Sequence, residues 1–220
     1  MPIQAVIFDV DGVLVDSYQA HLQSWQQMLA EHGIEFTEDQ FRATFGRTSA
    51  DILKDLCRQH VAENEHGALD DRKEALYREI IRKEFPALEG AVELIDALST
   101  AGFALAVGSS GPPENIELTL DCLDRAEKFA ACVTRTDVTR GKPDPQVFEI
   151  AAARLGVPPA RCCVVEDAPA GVEAANRAEM TSIGLTGTAT RAELAHADLV
   201  VDGLRQLSPE VIRRLGSQTC

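Results

Sequence analysis

A chain of 220 residues with 45 % hydrophobic and 25 % charged side chains can build one sizeable core and a smaller second module. Its 21 basic against 35 acidic residues leave a formal charge of −14, which repels nucleic-acid phosphate and anionic lipid outside any local basic pocket. No apolar run reaches the roughly 18 residues that a bilayer crossing needs, and the start, Met-Pro-Ile-Gln-Ala-Val-Ile-Phe-Asp, has no basic leader and no cleavable apolar segment.

Residues 3–8 form a short apolar run that ends in Asp9-Val10-Asp11-Gly12. Similar runs recur at 103–107, 132–134, 162–165, 181–185 and 199–201. Each is short and nearly continuous, the pattern of strands buried on both faces of a parallel sheet. Helix-period stretches lie between them at 91–100, 114–121, 145–155 and 170–178, with Gly102 and Gly156 placed for left-handed caps. Strands alternating with helices predict a Rossmann-like doubly wound α/β core.

From about Asp16 to Glu84 the rhythm changes to helical pattern alone, broken by Gly33 and Gly46. Thr37-x-x-Gln40 and Thr48-x-x-Asp51 each have the form of a helix-starting capping box. The division predicted is a core of residues 1–15 and 86–220 with an inserted helical cap domain, 16–85. Six cysteines (Cys57, Cys122, Cys132, Cys162, Cys163, Cys220) show no C-x-x-C spacing, which reads as reduced thiols in a cytoplasmic protein. Nothing in the chain demands more than a monomer.

Asp9 and Asp11 sit just past the first strand, where open α/β sheets bind ligands. Of two carboxylates one residue apart, one can attack phosphorus and the other can protonate the leaving oxygen and later activate water. Glu166-Asp167 ends another strand, and carboxylates from two strand ends suit Mg²⁺. Gly108-Ser109-Ser110-Gly111 offers hydroxyls and backbone N–H groups to phosphate oxygens, and Lys142 offers an ammonium. A D-x-D pair alone is more often a turn or a solvated strand end, and a single lysine is more often surface. Four such loops in order on one scaffold point to phosphoryl transfer.

These loops resemble the signature of the haloacid dehalogenase superfamily: Asp9-Val10-Asp11-Gly12-Val13, Gly108-Ser109-Ser110, Lys142-Pro143 and Glu166-Asp167. The resemblance implies that Asp9 is the nucleophile and Asp11 the acid/base. It implies that Asp9, the Asp11 carbonyl and Asp167 bind Mg²⁺ with Glu166 in support, and that Ser109 and Lys142 hold the phosphate. The branch it is most similar to contains β-phosphoglucomutase and sugar-phosphate phosphatases. There, Asp16-Ser17-Tyr18-Gln19-Ala20-His21 with Trp25 resembles the hinge helix, and Lys73 ahead of Tyr77 the lysine that pairs with the histidine. His21, Gly46, Arg47, Lys73, Ser109, Ser110 and Lys142 are thereby implied to contact substrate.

Two departures separate the chain from the mutase pattern. Gly46-Arg47-Thr48-Ser49 stands where the mutase has Gly-x-Ser-Arg, and Pro112-Pro113 stands where it has Lys-Asn. Both remove grips on a second phosphate. The expected function is therefore Mg²⁺-dependent hydrolysis of small phosphorylated metabolites, sugar phosphates foremost, with β-phosphoglucomutase the alternative. A dehalogenase or a phosphonate hydrolase has no need of Asp11, and a silent binding module has no need of Asp9, Asp11, Lys142 and Asp167 together.

Overall fold

The computed structural model describes residues 2–44, 49–57 and 62–216. Two compact units divide the chain: Met1–Asp16 with Ala87–Cys220, and Ser17–Pro86. Strands β1 (Ala5–Phe8), β2 (Ala104–Gly108), β3 (Phe129–Val133), β4 (Cys162–Glu166), β5 (Thr181–Leu185) and β6 (Leu199–Val201) form the sheet of the first unit. All neighbours run parallel, in the order β3-β2-β1-β4-β5-β6. The chain therefore builds outward from β1 in one direction, then returns to its other side at β4. This is the doubly wound arrangement expected, with its switch point beside β1.

The helices of the second unit are α1 (Tyr18–Ala30), α2 (Glu38–Ala43), α3 (Ser49–Cys57) and α4 (His66–Lys83). Those of the first are α5 (Ala91–Thr100), α6 (Pro113–Leu123), α7 (Gln146–Leu155), α8 (Pro169–Arg177) and α9 (Pro209–Leu215). Three of these, α6, α8 and α9, start on proline, whose fixed φ suits the first helical position and whose missing N–H would have no partner there. Gly102 and Gly156 take the left-handed φ expected of them, 84° and 67°.

Strand β1 is wholly buried, and its alternate residues serve opposite faces. Ala5 and Ile7 join Ala106 and Val164 in a cluster with Val147, Phe148 and Ala151 of α7 and Ala174 and Ala175 of α8. This cluster fixes α7 and α8 against the strands whose ends carry the polar residues described below. In the helical unit, Leu22, Trp25, Met28 and Leu29 of α1 form one apolar stripe that packs with Leu69 and Leu76 of α4 and with Phe36 and Phe41. The Thr37 hydroxyl accepts from the Gln40 N–H at 3.2 Å while Gln40 Oε1 accepts from the Thr37 N–H at 2.8 Å, the expected capping box. The second predicted box begins at Thr48, outside the described residues.

Phe148 is fully buried at the heart of the strand–helix cluster. Replacing it with alanine should lower the unfolding free energy by roughly 3–5 kcal/mol, because lost contacts add to a cavity. A urea titration checks this; a change below about 1 kcal/mol would mean that α7 is not held by this contact.

Candidate active site

The register of the sheet assembles the site. Phe8 pairs with Val107 on one side and Val165 on the other, so Asp9 follows into a row with Gly108 and Glu166. The Asp9 N–H donates to the Val165 carbonyl at 3.0 Å and the Ser109 N–H to the Val133 carbonyl at 3.0 Å, extending the ladder one residue past the strands. Residues 133 positions apart in sequence, Asp9 and Lys142, then meet at this edge.

Lys142 comes from the loop before α7. Its ammonium lies 2.7 Å from Asp9 Oδ1, 2.6 Å from Glu166 Oε1 and 3.2 Å from the Gly108 carbonyl. The Phe148 ring lies 4.9 Å below it, a cation–π contact. Gln146 closes the loop: its Oε1 accepts from the N–H groups of Thr139 at 2.8 Å and Arg140 at 3.0 Å. Burial alone would favour the neutral amine, but the charges of Asp9 and Glu166 outweigh it and hold the group protonated well above the usual lysine range.

Glu166 is buried with its two oxygens engaged separately. Oε1 takes Lys142, and Oε2 accepts from the N–H groups of Asp167 and Ala168, both at 2.9 Å. It packs so closely on α8 that a methyl at Gly171 would lie 1.8 Å from Oε1, so only glycine fits there. Gly12 is constrained likewise. Its φ is +73°, and a methyl on it would lie 2.0 Å from Asp167 Oδ2.

Asp9, Glu166 and Asp167 form one cluster, with an oxygen from each within 4.8 Å of the others. All three are buried, and Lys142 balances only part of their charge. Burial first, then the nearby charges of Glu166 and Asp11, push the Asp9 carboxyl up to about 7 against the pull of Lys142. Burial, with the charges of Glu166 and Asp9, pushes Asp167 up as well. Hard oxygen donors with an unbalanced negative charge fit a small divalent cation such as Mg²⁺.

The remaining predicted residues fall in several places. Asp11 is half-buried, its backbone bridged to Val15; its side chain lies outside the acidic cluster, and Oδ2 is 3.9 Å from where a methyl on Gly111 would stand. Ser109 is buried and its Oγ accepts from the Gly111 N–H at 3.1 Å, whereas Ser110 is exposed. In the helical unit, buried Lys73 donates to His21 Nδ1 at 2.9 Å and to Glu74 Oε1 at 2.8 Å, and the His21 ring stacks on Tyr77 at 4.2 Å. Gly46 and Arg47 lie outside the described residues. Gln146, Phe148 and Gly171 join the site beyond the residues that sequence reasoning names; only Gly171, next to the Glu166-Asp167 pair, carries a signal in sequence. With a divalent cation in the cluster, the assembly could draw in an anion and present it with a carboxylate oxygen.

Residues 3–179 match the family of haloacid dehalogenase-like hydrolases. The chain is 31 % identical over 207 residues to validoxylamine A 7'-phosphate phosphatase of Streptomyces hygroscopicus subsp. limoneus, covering 93 % of this chain and 95 % of that one. It is 32 % identical over 217 residues to β-phosphoglucomutase of Bacillus subtilis, covering 96 % and 94 %. The crystal structure of β-phosphoglucomutase from Clostridium difficile superposes with a TM-score of 0.86 at 26 % identity, covering 98 % of each chain. The chain belongs to the haloacid dehalogenase-like hydrolases, in the branch of β-phosphoglucomutases and sugar-phosphate phosphatases, and is a phosphoric monoester hydrolase.

Proposed function

We propose that this hydrolase removes phosphate from small phosphorylated carbohydrates through a phosphoaspartate formed on Asp9, with Mg²⁺ as its cofactor. The observation that carries the reading is the ammonium of Lys142 joining Asp9 and Glu166 at adjoining strand ends. A carboxylate held there by a cation stands where an anionic ester would be drawn. The sugar-phosphate relatives support the substrate class.

In the first step an oxygen of Asp9 attacks phosphorus and the ester P–O bond breaks, while Asp11 gives its proton to the departing oxygen. In the second, Asp11, now a carboxylate, takes a proton from water. The water oxygen bonds to phosphorus, Asp9 leaves, and inorganic phosphate is released. Lys142 and Ser109, with Ser110, hold the phosphoryl oxygens throughout. Asp9, Asp167 and the Asp11 carbonyl would bind Mg²⁺, with Glu166 in support, and the ion would offset the repulsion between carboxylate and phosphate. His21 and Lys73, with Gly46 and Arg47, are assigned to reading the leaving group, and the helical unit to the cap's task.

A mutase must keep its phosphoaspartate until a sugar bisphosphate turns over, so it needs a second phosphate grip. The 32 % identity to a mutase keeps that reading in view. Against it, Ser49 opens α3 where the mutase pattern has arginine, and Pro112 and Pro113 form the N-cap and first turn of α6. Neither proline has an N–H to offer an anion. The partner is a small metabolite, and we assign this chain of charge −14 to the cytoplasm as a monomer, where thiols such as Cys132 and Cys162 would stay reduced.

Asp9→Asn should abolish turnover in a phosphate-release assay with Mg²⁺ while circular dichroism shows an intact fold; turnover within a few-fold of the parent would refute the nucleophile. Asp11→Asn should slow release of alkoxide leaving groups far more than of activated aryl leaving groups, which need little protonation. Equal slowing of both in single-turnover experiments would reduce Asp11 to a structural role. A screen of phosphorylated carbohydrates should yield phosphate without a bisphosphate primer, faster than β-glucose 1-phosphate is isomerised. Isomerisation that outruns phosphate release and is stimulated by β-glucose 1,6-bisphosphate would establish the mutase instead.

A further inference from the structure

A side chain from beyond the four signature loops reaches the acidic cluster. Thr188 lies in the segment after β5, and its hydroxyl faces the Asp167 carboxylate. The backbone of Gly12 brings the two together: a methyl there would stand 2.0 Å from Asp167 Oδ2 and 2.8 Å from Thr188 Oγ1. Those two oxygens thus crowd the same side of Gly12, and a residue with any side chain would part them.

The segment that carries Thr188 is held at both ends. Before it, the Thr186 N–H donates to the Val201 carbonyl at 2.9 Å and the Thr186 hydroxyl to Asp202 Oδ1 at 2.9 Å. Behind it, buried Ala189 packs with Val172 of α8 and with Leu194. Glu193 Oε2 then accepts from the Thr190 N–H at 2.8 Å and the Thr190 hydroxyl at 2.6 Å. Arg191 donates to the Val200 carbonyl at 2.9 Å and pairs with Asp202 at 2.7 Å. An exposed threonine is thereby set on fixed backbone beside a buried carboxylate, although it lies on the solvent side of the site.

We propose that Thr188 is a positioning residue for Asp167: its hydroxyl donates to one carboxylate oxygen, fixing the rotamer and leaving the other oxygen to the divalent cation. This inference rests on the metal reading of the preceding section. Outer hydrogen bonds of this kind orient metal ligands, and removing one typically costs 10–100-fold in metal affinity. Valine keeps the shape of threonine without the hydroxyl; serine keeps the hydroxyl without the methyl.

The test is binding, without turnover. Mn²⁺ is titrated into the full chain and the free ion is followed by electron paramagnetic resonance. The parent should bind Mn²⁺ saturably and Asp167→Asn should lose that binding. Thr188→Val should bind roughly 10-fold more weakly or worse, with an unchanged thermal melt, and Thr188→Ser should stay within about 3-fold of the parent. Parent-like binding by Thr188→Val alongside loss in Asp167→Asn would overturn the role of Thr188 and leave the metal reading standing. Equal weakening in the valine and serine variants would overturn it too, since the hydroxyl would not be the cause. No Mn²⁺ binding by the parent would overturn the metal reading itself, and this inference with it.

Discussion

One ammonium, Lys142 Nζ, lies within hydrogen-bond reach of two buried carboxylates from adjoining strands, 2.7 Å from Asp9 and 2.6 Å from Glu166. Buried charge is costly unless paired, and removing one member of such a group leaves the others stranded. Much of the first unit serves this contact. The register of β1 with β4 puts Asp9 beside Glu166, and the Phe148 ring lies beneath the ammonium. Gln146 ties the lysine's loop, and Gly171 yields the space that Glu166 fills. Because one cation faces three carboxylates, the cluster keeps a deficit of positive charge. That deficit would repel an incoming phosphate, and the proposed metal would offset it.

The core was legible because burial on both faces writes itself into a strand as an unbroken apolar run. β1, β4 and β5 are wholly buried, and their positions follow from composition. β3 starts at Phe129 rather than at 132, since it is an edge strand whose first residues are half-buried and exposed. Phe129 still pairs with Leu105 of β2, so the strand begins three residues ahead of the expected run. Helix α9 has no expectation in sequence: seven residues with three charges carry too little periodicity to stand out. The prolines opening α6 and α8 moved those starts one residue ahead of the expected 114 and 170.

For the site, the acidic and basic loops could be read because each follows a strand end and carries residue types that phosphate chemistry needs. What supports them could not. Gln146 and Phe148 look like ordinary first-turn residues of an amphipathic helix, and only the folded loop shows the amide oxygen closing on two N–H groups. Thr188 is less legible still, a hydroxyl in a polar segment 21 positions from the carboxylate it faces. Its relation to Asp167 exists only once Gly12 has let the first loop bend between them. Sequence thus names the groups that bear charge, while the groups that hold them still emerge from packing.

The account stands or falls on a covalent bond between Asp9 and phosphorus. The most direct measurement quenches the enzyme with acid during turnover of a good sugar-phosphate substrate, then treats it with borohydride. An aspartyl phosphate is reduced by this treatment to homoserine, whereas a free carboxylate is not. Peptide mass mapping should find homoserine at position 9, only in samples that had substrate. Homoserine at another position, or none while phosphate is being released, would contradict the mechanism.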